Sequence, residues 1–187
     1  MKHRFPSLYS RGNCMSPQQV IKAGVKTIMT QNIVGNPEFQ RLLKHVMEEK
    51  IPFCHLLGVK LLSFDPGRPQ LGFDMHEQLL GNFSQGMLHG GVIASVLDSV
   101  AGFAILLKMA QQSPKDDVMS QLKEFSNMST IDLRIDYLQP GRGATFTASA
   151  EVTRLGKRVA NVLMDLRNEQ GERIATGAAA FMLHGRA

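Results

Sequence analysis

Residues 92–107 form an almost unbroken apolar run with an acid, Asp98, inside it. Val92, Ile93, Val96, Leu97, Val100, Phe103, Ile105 and Leu106 fall on all sides of a helix with 3.6 residues per turn. A helix over about 91–110 must therefore be covered nearly all round, which marks the centre of a core. The run is shorter than the roughly 20 residues that cross a bilayer, and an acid at that depth is costly in lipid. A membrane span is disfavoured on both counts.

The cover for such a helix is written in the change of period around it. Residues 59–64 and 70–75 read as two strands, with Asp65-Pro66-Gly67 opening the turn between them. After the helix, 111–126 is polar, a loop or a short exposed helix. Period two then takes over. Ile131, Leu133, Ile135 and Tyr137 share one face, and Thr130, Asp132, Arg134 and Asp136 the other. Strands over 146–152, 159–166 and 174–183 follow, separated by turns at Gly141–Gly143, Leu155-Gly156-Lys157 and 168–171. Strand, strand, buried helix and a four-stranded meander predict an α+β domain, an antiparallel sheet wrapped around one long helix.

At 187 residues the chain has room for one domain and an extension. The expected division is a helical extension over 1–50, with 1–14 a leader of no assigned fold, and the domain over 51–187. Ser16-Pro17-Gln18-Gln19 reads as a helix cap followed by proline, with Val20, Ile21, Val25, Ile28 and Met29 behind it. Asn36-Pro37 repeats the signal ahead of Phe39, Leu42, Leu43 and Val46. The net charge of +5 belongs to this front end: residues 1–60 hold 9 Lys and Arg against 3 Asp and Glu, and 61–187 hold 12 against 13. Basic outer faces on two helices argue weakly for a docking surface or an anionic ligand and hardly at all for nucleic acid. Cys14 and Cys54, with no C-x-x-C spacing, fit free thiols in a reducing cytoplasm.

Asp98 needs a partner or a shifted pKa if it is buried. It could equally lie on a solvated strip shared with Ser95 and Ser99. Leu88-His89-Gly90-Gly91 places two glycines at the helix start, where the first N–H groups lack intrahelical acceptors and the dipole is positive. Glycine admits a ligand close to that backbone, as an oxyanion site requires. Gly90 and Asp98 are separated by about 12 Å of helix, too far to serve one small carbonyl together. Two helices packed antiparallel about a two-fold axis would bring Asp98 of one subunit towards Gly90 of the other.

Competing motifs are weaker. Gly81-Asn82-Phe83-Ser84-Gln85-Gly86 misses G-x-S-x-G by one place, and Cys54-His55 is only adjacency. The six histidines show no H-x-H or H-x-x-x-H spacing, so no metal is expected. Gly141-Arg142-Gly143 follows Pro140 as a turn and opens no phosphate-binding helix.

Asn82, then His89-Gly90-Gly91, then Asp98 nine residues after the His, resembles the signature of the PaaI-like branch of the hotdog-fold thioesterases. The run from Thr130 to Gly143, Gly156-Lys157 and Gly171 with Ile174-Ala175 resemble it too. Within the branch, Gly81-Asn82 and Leu88 through Ser95 are similar to the YigI-type medium- and long-chain acyl-CoA thioesterases. The resemblance spans roughly residues 38–184. It implies a hotdog fold and hydrolysis of an acyl-CoA thioester without metal or other cofactor. It further implies Asp98 as general base or nucleophile, the Gly90 N–H as donor to the thioester carbonyl, and His89 and Asn82 positioning substrate or water. Thr130 would line the site. Gly91, Arg142, Lys157 and Arg158 are candidate contacts to CoA. In many relatives the Asn precedes the His by six residues, whereas here it precedes by seven. The partners expected are acyl-CoA and a second copy of the chain, in a homodimer or dimer of dimers with sites at the subunit interface. The alternatives are a non-catalytic acyl-CoA binder or sensor and, more weakly, a hydratase or dehydratase in which His89 carries the chemistry.

Overall fold

The computed structural model describes residues 33–112 and 127–184. The expected leader, the helix after Ser16 and nearly all of the polar connection 111–126 lie outside the described residues.

The described chain opens on a 3-10 turn, Ile33–Gly35, and helix α1, Pro37–His45. Asn36 caps α1 as its sequence demands, its Oδ1 accepting from the N–H of Glu38 at 2.8 Å and of Phe39 at 3.2 Å. Phe39 and Leu43 are buried, Leu42 and Val46 half-buried, and Arg41 and Lys44 face outward. The helix then widens into a π turn, Val46–Lys50, and Pro52 starts a short α2, Pro52–Leu56. This front segment is stitched to the sheet, because Glu48 Oε1 accepts from Leu61 N–H at 2.8 Å. Ile33, Val34, Phe39, Leu43, Met47, Cys54 and Leu57 belong to the same hydrophobic cluster as the central helix.

Strands β1 (Lys60–Ser63) and β2 (Gln70–Asp74) form the expected hairpin, one or two residues shorter than their apolar pattern suggests. A small ribbon follows, β3 (Leu80–Asn82) with β4 (Met87–Leu88), which period-two reading misses because each strand is too short to show a period. Helix α3 runs from Gly90 to Gln112. The remaining strands are β5 (Met128–Tyr137), β6 (Thr145–Leu155), β7 (Val159–Asn168) and β8 (Arg173–Leu183).

Six strands make one antiparallel sheet in the order β1-β2-β6-β7-β8-β5, curled around α3. This is the hotdog arrangement. The expected meander holds for β6, β7 and β8 but not for β5, which leaves β6 and pairs with β8 at the sheet's far edge. Alternation marks a segment as a strand without choosing its neighbour. Here β6 is occupied by β2 on its free side, with Leu71 opposite Ala148 and Phe73 stacked on Phe146, so β5 is left with the edge.

Helix α3 is long and apolar enough, at mean hydropathy 1.9, to cross a membrane by length and composition, yet 61% of that window is buried inside the protein. Every residue over 100–107 is buried, between the sheet on one side and the front segment, whose Ile33–Gly35 turn packs on the helix. In the first half, by contrast, Gly91, Ala94, Ser95, Asp98 and Ser99 remain exposed or half-buried. The helix thus has a sealed half and an open half, and Asp98 lies in the open one.

Phe103 is fully buried and meets Phe64 edge-on, ring centroids 5.8 Å apart. Replacing Phe103 with Ala is expected to cost about 3–5 kcal/mol through lost transfer energy and the cavity left behind. Urea denaturation measures this, and a loss below about 1 kcal/mol would show that the middle of α3 is not the core.

Candidate active site

The start of α3 is held by two backbone bonds. Leu88 N–H donates to Gly141 O at 3.0 Å and His89 N–H to Leu79 O at 2.8 Å. The β3–β4 ribbon presses so closely here that a Cβ on Gly81 would lie 2.6 Å from His89 Cα. Only glycine allows that approach.

His89 acts as the cap of α3. Its carbonyl accepts from Val92 N–H at 2.9 Å, and its ring Nδ1 faces the Gly91 N–H at 2.9 Å. A backbone N–H can only donate, so Nδ1 accepts and the neutral ring carries its proton on Nε2. A side chain at Gly91 would collide with that ring, its Cβ 2.9 Å from Nδ1. The two candidate amides therefore differ. The Gly91 N–H is already engaged, whereas the Gly90 N–H, at the first helical position, has no acceptor among the described residues. The Gly90 carbonyl accepts from the Tyr137 hydroxyl at 3.0 Å.

Two turns along the helix, Asp98 is half-buried and its Oδ1 accepts from the Thr130 hydroxyl at 2.8 Å. The alternation of β5 predicts Thr130 on the face of Asp132 and Arg134, away from the helix, and this is corrected by a β-bulge. Thr130 lies opposite Phe181 and Asp132 opposite Ala180, so Ile131 is an extra residue in the strand. The bulge reverses the parity. Thr130 joins Leu133, Ile135 and Tyr137 on the face of buried Phe181 and Ala179, towards α3.

Ser95 and Ser99 do not serve Asp98, since their hydroxyls donate back to Gly91 O at 2.7 Å and Ser95 O at 2.8 Å. Asp98 Oδ2 has no hydrogen-bond partner among the described residues. Cys54 is buried 3.9 Å from the Ser99 hydroxyl, and burial pushes its thiol pKa up, against nucleophilic use. His55 turns away from it to Glu48 O at 3.1 Å.

Asn82 is exposed on the ribbon, opposite Met87, and its Oδ1 accepts from the Ser84 hydroxyl at 2.7 Å. Arg142 is brought to the same end of the sheet, donating to Gln85 Oε1 at 2.8 Å across to the ribbon. Lys157 and Arg158 sit in the β6–β7 turn at the opposite end, where Arg158 O accepts from Leu183 N–H at 2.8 Å. The predicted residues thus form two groups in one chain. Asn82, His89, Gly90, Gly91 and Arg142 cluster at the helix start, and Asp98 and Thr130 lie further along, on the side of Lys157 and Arg158. Among the described residues, no three His, Cys, Asp or Glu side chains gather as metal ligands would. Tyr137 is the contact that motif reading overlooked; its inward place in the β5 alternation was the available signal.

Known proteins agree with this architecture. The family model described as Thioesterase superfamily matches residues 85–175. The medium/long-chain acyl-CoA thioesterase YigI of Escherichia coli K12 is 38% identical over 146 residues, covering 76% of this chain and 92% of that protein. Its Salmonella typhimurium counterpart matches equally. A Shewanella oneidensis crystal structure related to the thioesterase superfamily is 36% identical, covers 80% of this chain and 99% of its own, and superposes with TM-score 0.71. Mouse thioesterase superfamily member 2 is 25% identical with TM-score 0.62, covering 79% of this chain and 98% of its own. With the sheet, the capped helix start and the Asp98–Thr130 pair in place, these likenesses bear out the resemblance read from the motifs: the chain belongs to the thioesterase superfamily.

Proposed function

We propose that the protein hydrolyses acyl-CoA thioesters, of medium to long chain by analogy with the YigI relatives, to free acid and CoA. The observation that carries this reading is the combination of a Gly90 N–H with no acceptor among the described residues, at a capped helix start, and a half-buried Asp98 whose one oxygen is held by Thr130. The thioester carbonyl accepts from Gly90 N–H, which strengthens as the oxygen becomes an oxyanion. With Oδ1 fixed, Asp98 Oδ2 is the oxygen left to act. As a base it takes a proton from water as the water oxygen bonds to the carbonyl carbon. The C–S bond then breaks, and the proton passes to the CoA thiolate. As a nucleophile it would bond to the carbonyl carbon and expel CoA as thiolate, leaving an acyl-enzyme anhydride that water opens to the free acid and the carboxylate, with the proton passing to the thiolate. His89 offers its Nε2–H as a donor and Asn82 its amide, while Arg142, Lys157 and Arg158 are cationic candidates for the CoA phosphates. An Nδ1 occupied by a backbone N–H leaves His89 poorly placed as a base, which counts against the hydratase reading.

One chain does not complete this site, because about 12 Å of helix separates Gly90 from Asp98. The edge strand β5 supplies the remedy. It has ten residues and carries Ile131 and Tyr137 at 53% and 55% exposure. Unpaired edges of that length are normally covered. Pairing β5 with its copy about a two-fold axis continues the sheet and sets Gly90 of one subunit against Asp98 of the other. In this reading residues 51–187 are the hydrolase domain and 1–50 the extension, whose described part helps seal α3.

Asp98→Asn is expected to lower kcat by about 10²–10⁴-fold while acyl-CoA still binds. Gly90→Pro removes the single N–H at a position where helices accept proline, and should lower kcat by about 10²–10³-fold. Thiol release from a chain-length series of acyl-CoAs reads both; wild-type rates in Asp98→Asn would remove Asp98 from the chemistry, and no release even from the wild type would leave only the non-catalytic binder.

Shared sites make a second test. Dimers mixed from Asp98→Asn and Gly90→Pro chains contain one intact site, so recombining the two inactive proteins should restore about a quarter of wild-type activity. No recovery, with mixed dimers verified by mass, would place the whole site within one chain.

A further inference from the structure

Tyr137 ends the edge strand β5, opposite buried Ala175, so its ring stands on the helix side of the sheet. Its hydroxyl donates to Gly90 O at 3.0 Å, and the ring lies against Gly90, where an added Cβ would be 3.4 Å from Oη. The peptide that receives this bond is Gly90–Gly91. The N–H of the same peptide is the one that donates to His89 Nδ1 at 2.9 Å. Three groups are therefore in series: Tyr137 O–H to Gly90 C=O, and across that peptide Gly91 N–H to the His89 ring.

We propose that Tyr137 is a positioning residue for His89, acting through the Gly90–Gly91 peptide. This rests on the hydrolase reading above. A hydrogen bond to a peptide carbonyl polarises the amide and strengthens the donation from its N–H. The Tyr137 hydroxyl thereby holds His89 in the tautomer with Nδ1 unprotonated and Nε2–H turned outward as a donor. It also fixes the plane of the turn from which the Gly90 N–H projects. A histidine is a poor helix cap beside Ser, Asp or Asn, and this arrangement explains its use here: capping and tautomer selection are done by one ring nitrogen, leaving the other for the substrate.

Tyr137→Phe tests this while keeping the ring packed over Gly90. The expected result is a kcat lower by about tenfold, the scale of one neutral hydrogen bond, with KM within about twofold. The nitrogen NMR signals of His89, assigned with a His89→Gln control, should move from the Nε2–H pattern towards each other. A fall in kcat with unchanged His89 signals would overturn the proposal, as would wild-type values of both. If the His89 signals shift but no acyl-CoA is hydrolysed even by the wild type, the positioning role stands and the hydrolase reading fails.

Discussion

The structure depends on covering one helix that is apolar on nearly every side. A sheet can cover only one flank of α3, however tightly it curls. On the other flank the front segment packs through the turn at Ile33, and its Phe39, Leu43 and Met47 join the same hydrophobic cluster as the buried residues 100–107. That flank is left open over 91–99, where the helix carries Gly, Ala, Ser and Asp in place of large apolar residues. The polar half therefore follows from the same constraint as the core. Where the cover stops, the helix must be small or polar, and there Asp98 stays half-buried within reach of water.

Strand β5 links that open half to the rest. Its two ends touch the two groups of candidate residues, Thr130 at Asp98 and Tyr137 at Gly90. The bulge at Ile131 makes both contacts compatible. Without it Thr130 and Tyr137 would lie on opposite faces of the sheet, and Asp98 would lose its partner. The same strand is an edge of the sheet, so in the proposed shared-site dimer the element that meets both groups of candidate residues is also the one a second copy would cover.

The outer face of the sheet shows how the framework stays in register. Asp165 is nearly buried there, opposite Ser149, and accepts from the Ser149 hydroxyl at 2.7 Å, from Arg167 Nε at 2.8 Å and from Arg68. Arg68 belongs to the β1–β2 connection, so the carboxylate ties that hairpin onto the centre of the sheet. Its three donors offset the cost of desolvating it. At the other end Glu169, accepting from the N–H groups of Ala144 and Thr145, is held down to about 2 in pKa and secures the β5–β6 crossover as it passes the helix start.

Local patterns in the sequence were enough to determine the long helix, the six main strands, the Asn36 cap and the pairing of a glycine-rich helix start with a mid-helix acid. Each is a matter of period or of a few neighbouring residues, and residues 82–98 carried the family likeness. What only the tertiary structure decided is of another kind. It put β5 at the edge, because strand neighbours are chosen by long-range packing and not by alternation. It turned Thr130 inward, because one extra residue in a strand reverses every side chain before it. It merged the front segment with the core, because the helix flank beyond the sheet had to be filled. It also separated the Gly90 amide from the Gly91 amide, identical in sequence terms, because the His89 ring folds back onto Gly91 and leaves Gly90 without an acceptor among the described residues.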